Sequence, residues 1–86
     1  MATRAAQKDW RMAAYIDAAM RRAVYKMFSD GTTYGEIPGI QGVYANESTQ
    51  EACERELASA LDGWLQLRLA WRRPIPIVDG IDLTAI

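Results

Sequence analysis

Ala23-Val24-Tyr25-Lys26-Met27-Phe28-Ser29-Asp30-Gly31-Thr32-Thr33-Tyr34-Gly35-Glu36-Ile37-Pro38-Gly39 decides the fold. Its first six residues are short, aromatic and suited to a strand. Ser29-Asp30-Gly31-Thr32 is a turn cluster built on an Asp-Gly pair. Thr33 to Ile37 read as a second strand, and two strands across so short a polar break form a hairpin. Pro38-Gly39 ends the second strand, because Pro cannot donate to a ladder and Gly permits the reversal. Gly42-Val43-Tyr44-Ala45 then reads as a third short strand.

Downstream, Ser48-Thr49-Gln50-Glu51 carries the Ser-x-x-Glu pattern of a capping box, with Ser48 as N-cap and Glu51 at N3. Thr49 is the alternative cap, one residue later. A helix is expected from there to about Trp71. Cys53, Leu57, Ala60, Leu61, Trp64, Leu65, Arg68 and Trp71 recur at helical spacing and predict its apolar stripe. Glu54, Asp62, Gln66 and Arg72 fall on the wet side. Gly63 weakens this helix by about 1 kcal/mol relative to Ala, or else marks a place of close packing. Arg72 and Arg73 fall in the last turn, where cations meet the negative helix end favourably. Pro74-Ile75-Pro76-Ile77-Val78 is expected to form a short fourth strand, at an edge where Pro is tolerated. Asp79-Gly80 is a further turn signal, followed by a short extended piece, Ile81-Asp82-Leu83.

Upstream, residues 8–22 read as an Ala-rich helix with Met12, Ile16, Ala19 and Met20 as its apolar stripe. Residues 1–6, small and polar, are expected to fray. The element order is helix, three strands, helix, short strand, which is an α+β class.

The chain has 86 residues, room for one domain with its core over residues 23–83. So small a domain is marginal alone, and association with itself or a partner is the expected supplement. It has no histidine and one cysteine. That removes the usual general base, His-dependent nucleophile pairs and a Cys/His zinc site. Cys53 lies on the apolar stripe and reads as an inert packed thiol. No phosphate-cradling glycine loop occurs. The chain carries neither a secretory signal core nor an apolar run long enough for a membrane span, and a cytoplasmic location is expected. The net charge of −1 conceals a split. Residues 1–28 hold six basic and two acidic side chains, a net of +4, and residues 29–86 hold four basic and nine acidic, a net of −5.

Two chemistries remain to be weighed. Asp30, Glu36, Glu47, Glu51, Glu54 and Glu56 are carboxylates of the kind that hold magnesium in nucleases, although a charged helix stretch is usually a solvated face. Arg21, Arg22 and Lys26, with Arg4, Lys8 and Arg11, form a basic cluster able to meet phosphates. Tyr25, Phe28 and Tyr34 offer stacking faces beside it.

One family resemblance draws these pieces together. Ala19-Met20-Arg21-Arg22-Ala23-x-Tyr25, then Tyr34-Gly35-Glu36-Ile37-Pro38-Gly39-Ile40-x-Gly42-Val43-Tyr44-Ala45, then Thr49 through Leu57 resemble the HicB family of bacterial antitoxins. Leu67-x-Leu69, Pro74-x-Pro76 and Val78-Asp79-Gly80-Ile81-x-Leu83 continue the resemblance. It implies a truncated RNase H-like fold, with a three-stranded antiparallel sheet packed on the long helix and a short fourth strand. It also implies a role: binding a small HicA-type toxin that cleaves mRNA, and masking its working surface. Larger members add a C-terminal DNA-binding module. This sequence ends at Ile86 without one, so DNA binding is not expected. The helix over residues 8–22 is an addition suited to self-association.

The reading is therefore a non-enzymatic antitoxin, without catalytic residues, cofactor or metal. Tyr34, Glu36 and Glu47 are the candidate partner-binding residues. Arg21, Arg22 and Lys26 are the candidate nucleic-acid contacts. Its alternatives are an orphan homo-oligomeric interaction module and a small RNA-binding protein.

Overall fold

The computed structural model describes residues 2–84, with side chains from residue 10 onward. The elements run α1 (Ala2–Met20), β1 (Val24–Met27), β2 (Thr33–Ile37), β3 (Ile40–Glu47) and α2 (Gln50–Ala70). The three strands form one antiparallel sheet in the order β1-β2-β3. The fold is thus α+β, two helices and a three-stranded antiparallel meander.

The sheet's two faces follow from the period of two in its strands. In β2, Thr33, Gly35 and Ile37 are buried, while Tyr34 and Glu36 between them face outward. In β3, Val43 and Ala45 are buried and Tyr44 and Asn46 are exposed. The inner face receives the buried stripe of α2, Cys53, Leu57, Leu61 and Leu65. Gly35 is a point of close approach between strands and helix. A Cβ placed there would lie 2.8 Å from Cε1 and 2.9 Å from Cδ1 of Tyr25, and 3.0 Å from Sγ of Cys53. Tyr25 pairs with Gly35 across the strands, and its ring occupies the space that a side chain would take.

The turns are specified locally. Oδ1 of Asp30 accepts from the Thr32 amide at 2.9 Å and from the Thr32 hydroxyl at 2.7 Å, which closes the β1–β2 turn. These bonds, the hydroxyl's first, hold the Asp30 carboxyl below its ordinary range. Between β2 and β3, Ile37 pairs with Ile40 but Glu36 pairs with Tyr44, so the register shifts. Gly39, at φ 90°, and Gly42, at φ 89°, supply two left-handed residues in this stretch. The shift leaves Ile40 and Val43 both buried, with two exposed residues between them.

Several expectations need correction. α1 starts at Ala2 and ends at Met20, instead of spanning residues 8–22, so residues 2–6 are helical where fraying was expected. Met1 lies outside the described residues. The alanines at 2, 5 and 6 extend the same strong helix propensity that residues 13–19 show. The buried centre of this helix is Tyr15, Ala18 and Ala19, with Met12, Ile16 and Met20 only flanking it. A purely aliphatic stripe misses this, because Tyr15 is buried by giving its hydroxyl a partner. It donates to the carbonyl of Pro76 at 2.6 Å.

That bond also explains the C-terminal segment. Residues 74–77 form no fourth strand, and only Val78 and Ile81 make an isolated bridge, around Asp79-Gly80. Two prolines remove two ladder donors, and the segment packs on α1 instead. Ile75, Val78 and Leu83 are buried in the shared core. Arg22 donates to Asp79, Arg21 lies 3.7 Å from the same carboxylate, and Arg11 donates to the Asp82 carbonyl at 2.9 Å.

β3 is longer at both ends than the expected residues 42–45. Thr49, not Ser48, caps α2, its hydroxyl accepting from the Ala52 amide at 3.1 Å. Ala60 and Trp71, expected on the buried stripe of α2, are exposed.

The close approach and the cap can each be tested by substitution. Gly35→Val should destabilise the fold by about 1–3 kcal/mol, by forcing Tyr25 and Cys53 apart. An unchanged urea midpoint would refute that close approach. Thr49→Ala should cost about 1 kcal/mol, whereas Ser48→Ala should stay within about 0.5 kcal/mol; the reverse order would place the cap at Ser48.

Candidate functional site

α2 covers one face of the sheet, and no described element covers the opposite face. That face carries Val24 and Lys26 from β1, Tyr34 and Glu36 from β2, and Tyr44 and Asn46 from β3. Phe28, just past β1, joins it. Three aromatic rings run across the face as a ladder. Phe28 and Tyr34 stack with centroids 5.8 Å apart and planes at 17°, and Tyr34 and Tyr44 stack at 6.1 Å and 26°. Such rows are ordinary cross-strand pairs, but this one remains uncovered: Tyr44 is 62% and Phe28 41% exposed.

A polar pair is built into the ladder. The Tyr34 hydroxyl donates to Oε1 of Glu36 at 3.0 Å. This bond holds the phenol in its protonated form and pushes its pKa above the ordinary tyrosine value, with desolvation and the charge of Glu36 adding to the effect. Lys26 stands opposite Tyr34 in the register. Asn46 Nδ2 donates to the Thr32 hydroxyl at 3.2 Å and to the Thr33 carbonyl at 3.3 Å, which ties β3 to the start of β2. Shallow grooves lie on both sides of the tyrosines. One, of about 330 Å³, runs between Lys26 and Glu36, and the other, of about 250 Å³, lies beside Tyr44 and Gln41.

The structure gathers some of the expected site residues and separates others. Tyr34, Glu36 and Lys26 share the open face. Glu47 does not, because it pairs with Thr33 at the end of β3, on the helix side, and is half-buried. Arg21 and Arg22 lie at the C-terminal end of α1, where Asp17 and Asp79 engage their guanidinium groups. The side chains of Arg4 and Lys8 lie outside the described residues. Tyr25, expected to offer a stacking face, turns inward over Gly35. The residue that reading the strands one at a time misses is Tyr44. Its signal is the alternation Val43-Tyr44-Ala45, but its place beside Tyr34 depends on the register shift.

Chemically the face offers aromatic planes, one carboxylate and one ammonium. Among the described residues no group of three or more acidic or cysteine side chains is placed to hold a metal ion. Cys53 is fully buried between helix and sheet, its thiol donating to the Ala45 carbonyl at 3.5 Å. Burial first, and then the charges of Glu47 and Glu54, push that thiol's pKa up, away from a reactive thiolate. No described helix is long and apolar enough to cross a membrane. Exposed aromatic patches of this kind commonly mark places where other molecules dock.

No curated protein matches the chain. Among solved structures, the crystal structure of TTHA0281 from Thermus thermophilus is similar, with 33% sequence identity and a TM-score of 0.78. The alignment covers 84% of this chain and 90% of that one. The UPF0150-like family model matches residues 14–76. That span takes in the last third of α1, the whole sheet with its aromatic ladder, α2 and the start of the C-terminal segment. The chain belongs to the UPF0150-like family.

Proposed function

We propose that this chain is a HicB-like antitoxin, a non-enzymatic module whose open sheet face docks on a small basic HicA-type toxin and masks its RNA-cleaving surface. The observation that carries this reading is the uncovered aromatic ladder Phe28–Tyr34–Tyr44 with Glu36 beside it. Tyrosines of this kind bury much area at little entropic cost and are enriched among the dominant residues of interfaces. The hydrogen bond from Tyr34 fixes Glu36 and leaves its second oxygen to accept from a toxin lysine or arginine. Residues 29–62 add an electrostatic reason, with seven acidic side chains against one basic. That field steers a basic partner and discriminates against acidic ones.

The meander backed by α2 is, in this reading, the truncated RNase H-like fold of the resemblance, in a bacterial cytoplasmic setting. Nothing in the proposed action needs catalysis. Lys26 and the stacked rings also fit a second reading, a small RNA binder using the same face. Arg21 and Arg22 add little to that reading while Asp17 and Asp79 engage them.

Co-expression with the neighbouring gene's product tests the proposal. The chain should co-purify with a small basic toxin and restore growth. Tyr44→Ala and Glu36→Lys should each weaken the complex roughly 10- to 30-fold, the loss of about 1.4–2 kcal/mol typical of a strong interface residue. Arg21→Ala with Arg22→Ala should leave affinity unchanged. A toxin bound equally well by Tyr34→Ala/Tyr44→Ala would move the site off this face. Salt-sensitive RNA binding lost in Lys26→Ala would favour the RNA reading, and no rescue by any neighbour would favour an orphan module.

A further inference from the structure

α2 presents a second uncovered surface, a flank roughly a quarter turn from the stripe buried on the sheet. Glu56, Ala60, Gly63, Leu67 and Trp71 are all exposed. They recur four, three, four and four residues apart, so they form one seam along the helix. Leu67 is 53% and Trp71 66% exposed. Trp64 borders the seam, with the Arg68 guanidinium 4.6 Å from its ring centroid. Trp64, Leu67, Arg68, Trp71 and Arg73 line a groove of about 300 Å³.

Gly63 sits in the middle of the seam, and nothing among the described residues requires it. Its φ is not among the left-handed ones, and a Cβ built there would meet nothing within 4 Å. It nevertheless weakens a 21-residue helix. The charge along α2 is polarised as well. Glu51, Glu54 and Glu56 stand at its start with Arg55, whereas Arg68, Arg72 and Arg73 stand at its end, with no acidic residue from Gly63 to Val78.

We propose that this flank is a homodimer interface, with α2 packing antiparallel on α2 of a second copy about a twofold axis near Gly63 and Trp64. A twofold contact must be self-complementary, and a helix acidic at one end and basic at the other is so only when antiparallel. Glu56 of each copy then comes level with Trp71 to Arg73 of the other. Ala60 and Gly63 let the two axes approach to about 8 Å, and Leu67 and Trp71 cover the contact on either side. A single-stranded nucleic acid would use the tryptophans and arginines but would leave Gly63, Ala60 and Glu56 without a role. The interface is independent of the toxin-binding reading, because the aromatic ladder lies on the far side of the sheet from α2.

Sedimentation equilibrium on the full chain tests this. The wild type should be a dimer. Leu67→Glu and Gly63→Met should each raise the dimer dissociation constant at least about tenfold. Gly63→Met replaces glycine at an exposed helix site, so circular dichroism should show the variant folded. Glu56→Arg should weaken the dimer, and combining it with Arg72→Glu and Arg73→Glu should restore it. A monomeric wild type, a dimer indifferent to Leu67→Glu and Gly63→Met, or a monomer that binds oligouridylate through Trp71 would each overturn the proposal.

Discussion

The seating of α2 on the sheet depends on the missing side chain at Gly35. Cys53 from the helix and Tyr25 from the neighbouring strand both reach the place where a side chain at residue 35 would stand. With that contact made, Leu57, Leu61 and Leu65 fall in line against Ile37, Ile40 and Val43. Glycine within a strand ordinarily weakens it, having no side chain to pack and more chain entropy to lose. Here the ring of Tyr25 supplies the missing bulk from across the ladder. One residue's lack of a side chain therefore fixes the register of β1 on β2 and the seating of the long helix.

The open face follows from the same geometry. A single helix covers one side of a three-stranded sheet, and α1 packs on α2 and the C-terminal segment. Tyr15, Arg11, Arg21 and Arg22 bind that segment to α1. The two prolines keep it from extending the sheet. What remains uncovered is the row of residues that alternation turns outward, and three of them are aromatic. The surface on which the functional proposal rests is the reverse side of the core.

Local chemistry was most legible in the sequence where it is most local. The Asp-Gly turn, the Pro-Gly reversal, the bounds of β2 and the extent of α2 are all set by residues within a few positions of each other. The sequence is silent where distant groups decide. The hydroxyl that lets Tyr15 be buried has its partner 61 residues away. The charges of Arg21 and Arg22 read as available for phosphate, because Asp79 is remote in sequence and near only in space. Tyr34 and Glu36 were legible as a pair, being two apart on one strand. Glu47 was not separable from them until the register placed it on the helix side.

Reading residues alone suffices for the α+β class, the hairpin, the long capped helix and the absence of any histidine-based chemistry. These depend on composition, on period and on contacts between neighbours. The folded arrangement adds which face of the sheet no described element covers, that Tyr44 completes the aromatic ladder, that the C-terminal segment clasps α1, and that Ala60 and Trp71 stand outside the core. Each of these turns on a strand register or on a pairing between elements far apart in the chain, and period alone does not specify which of two faces another element will cover.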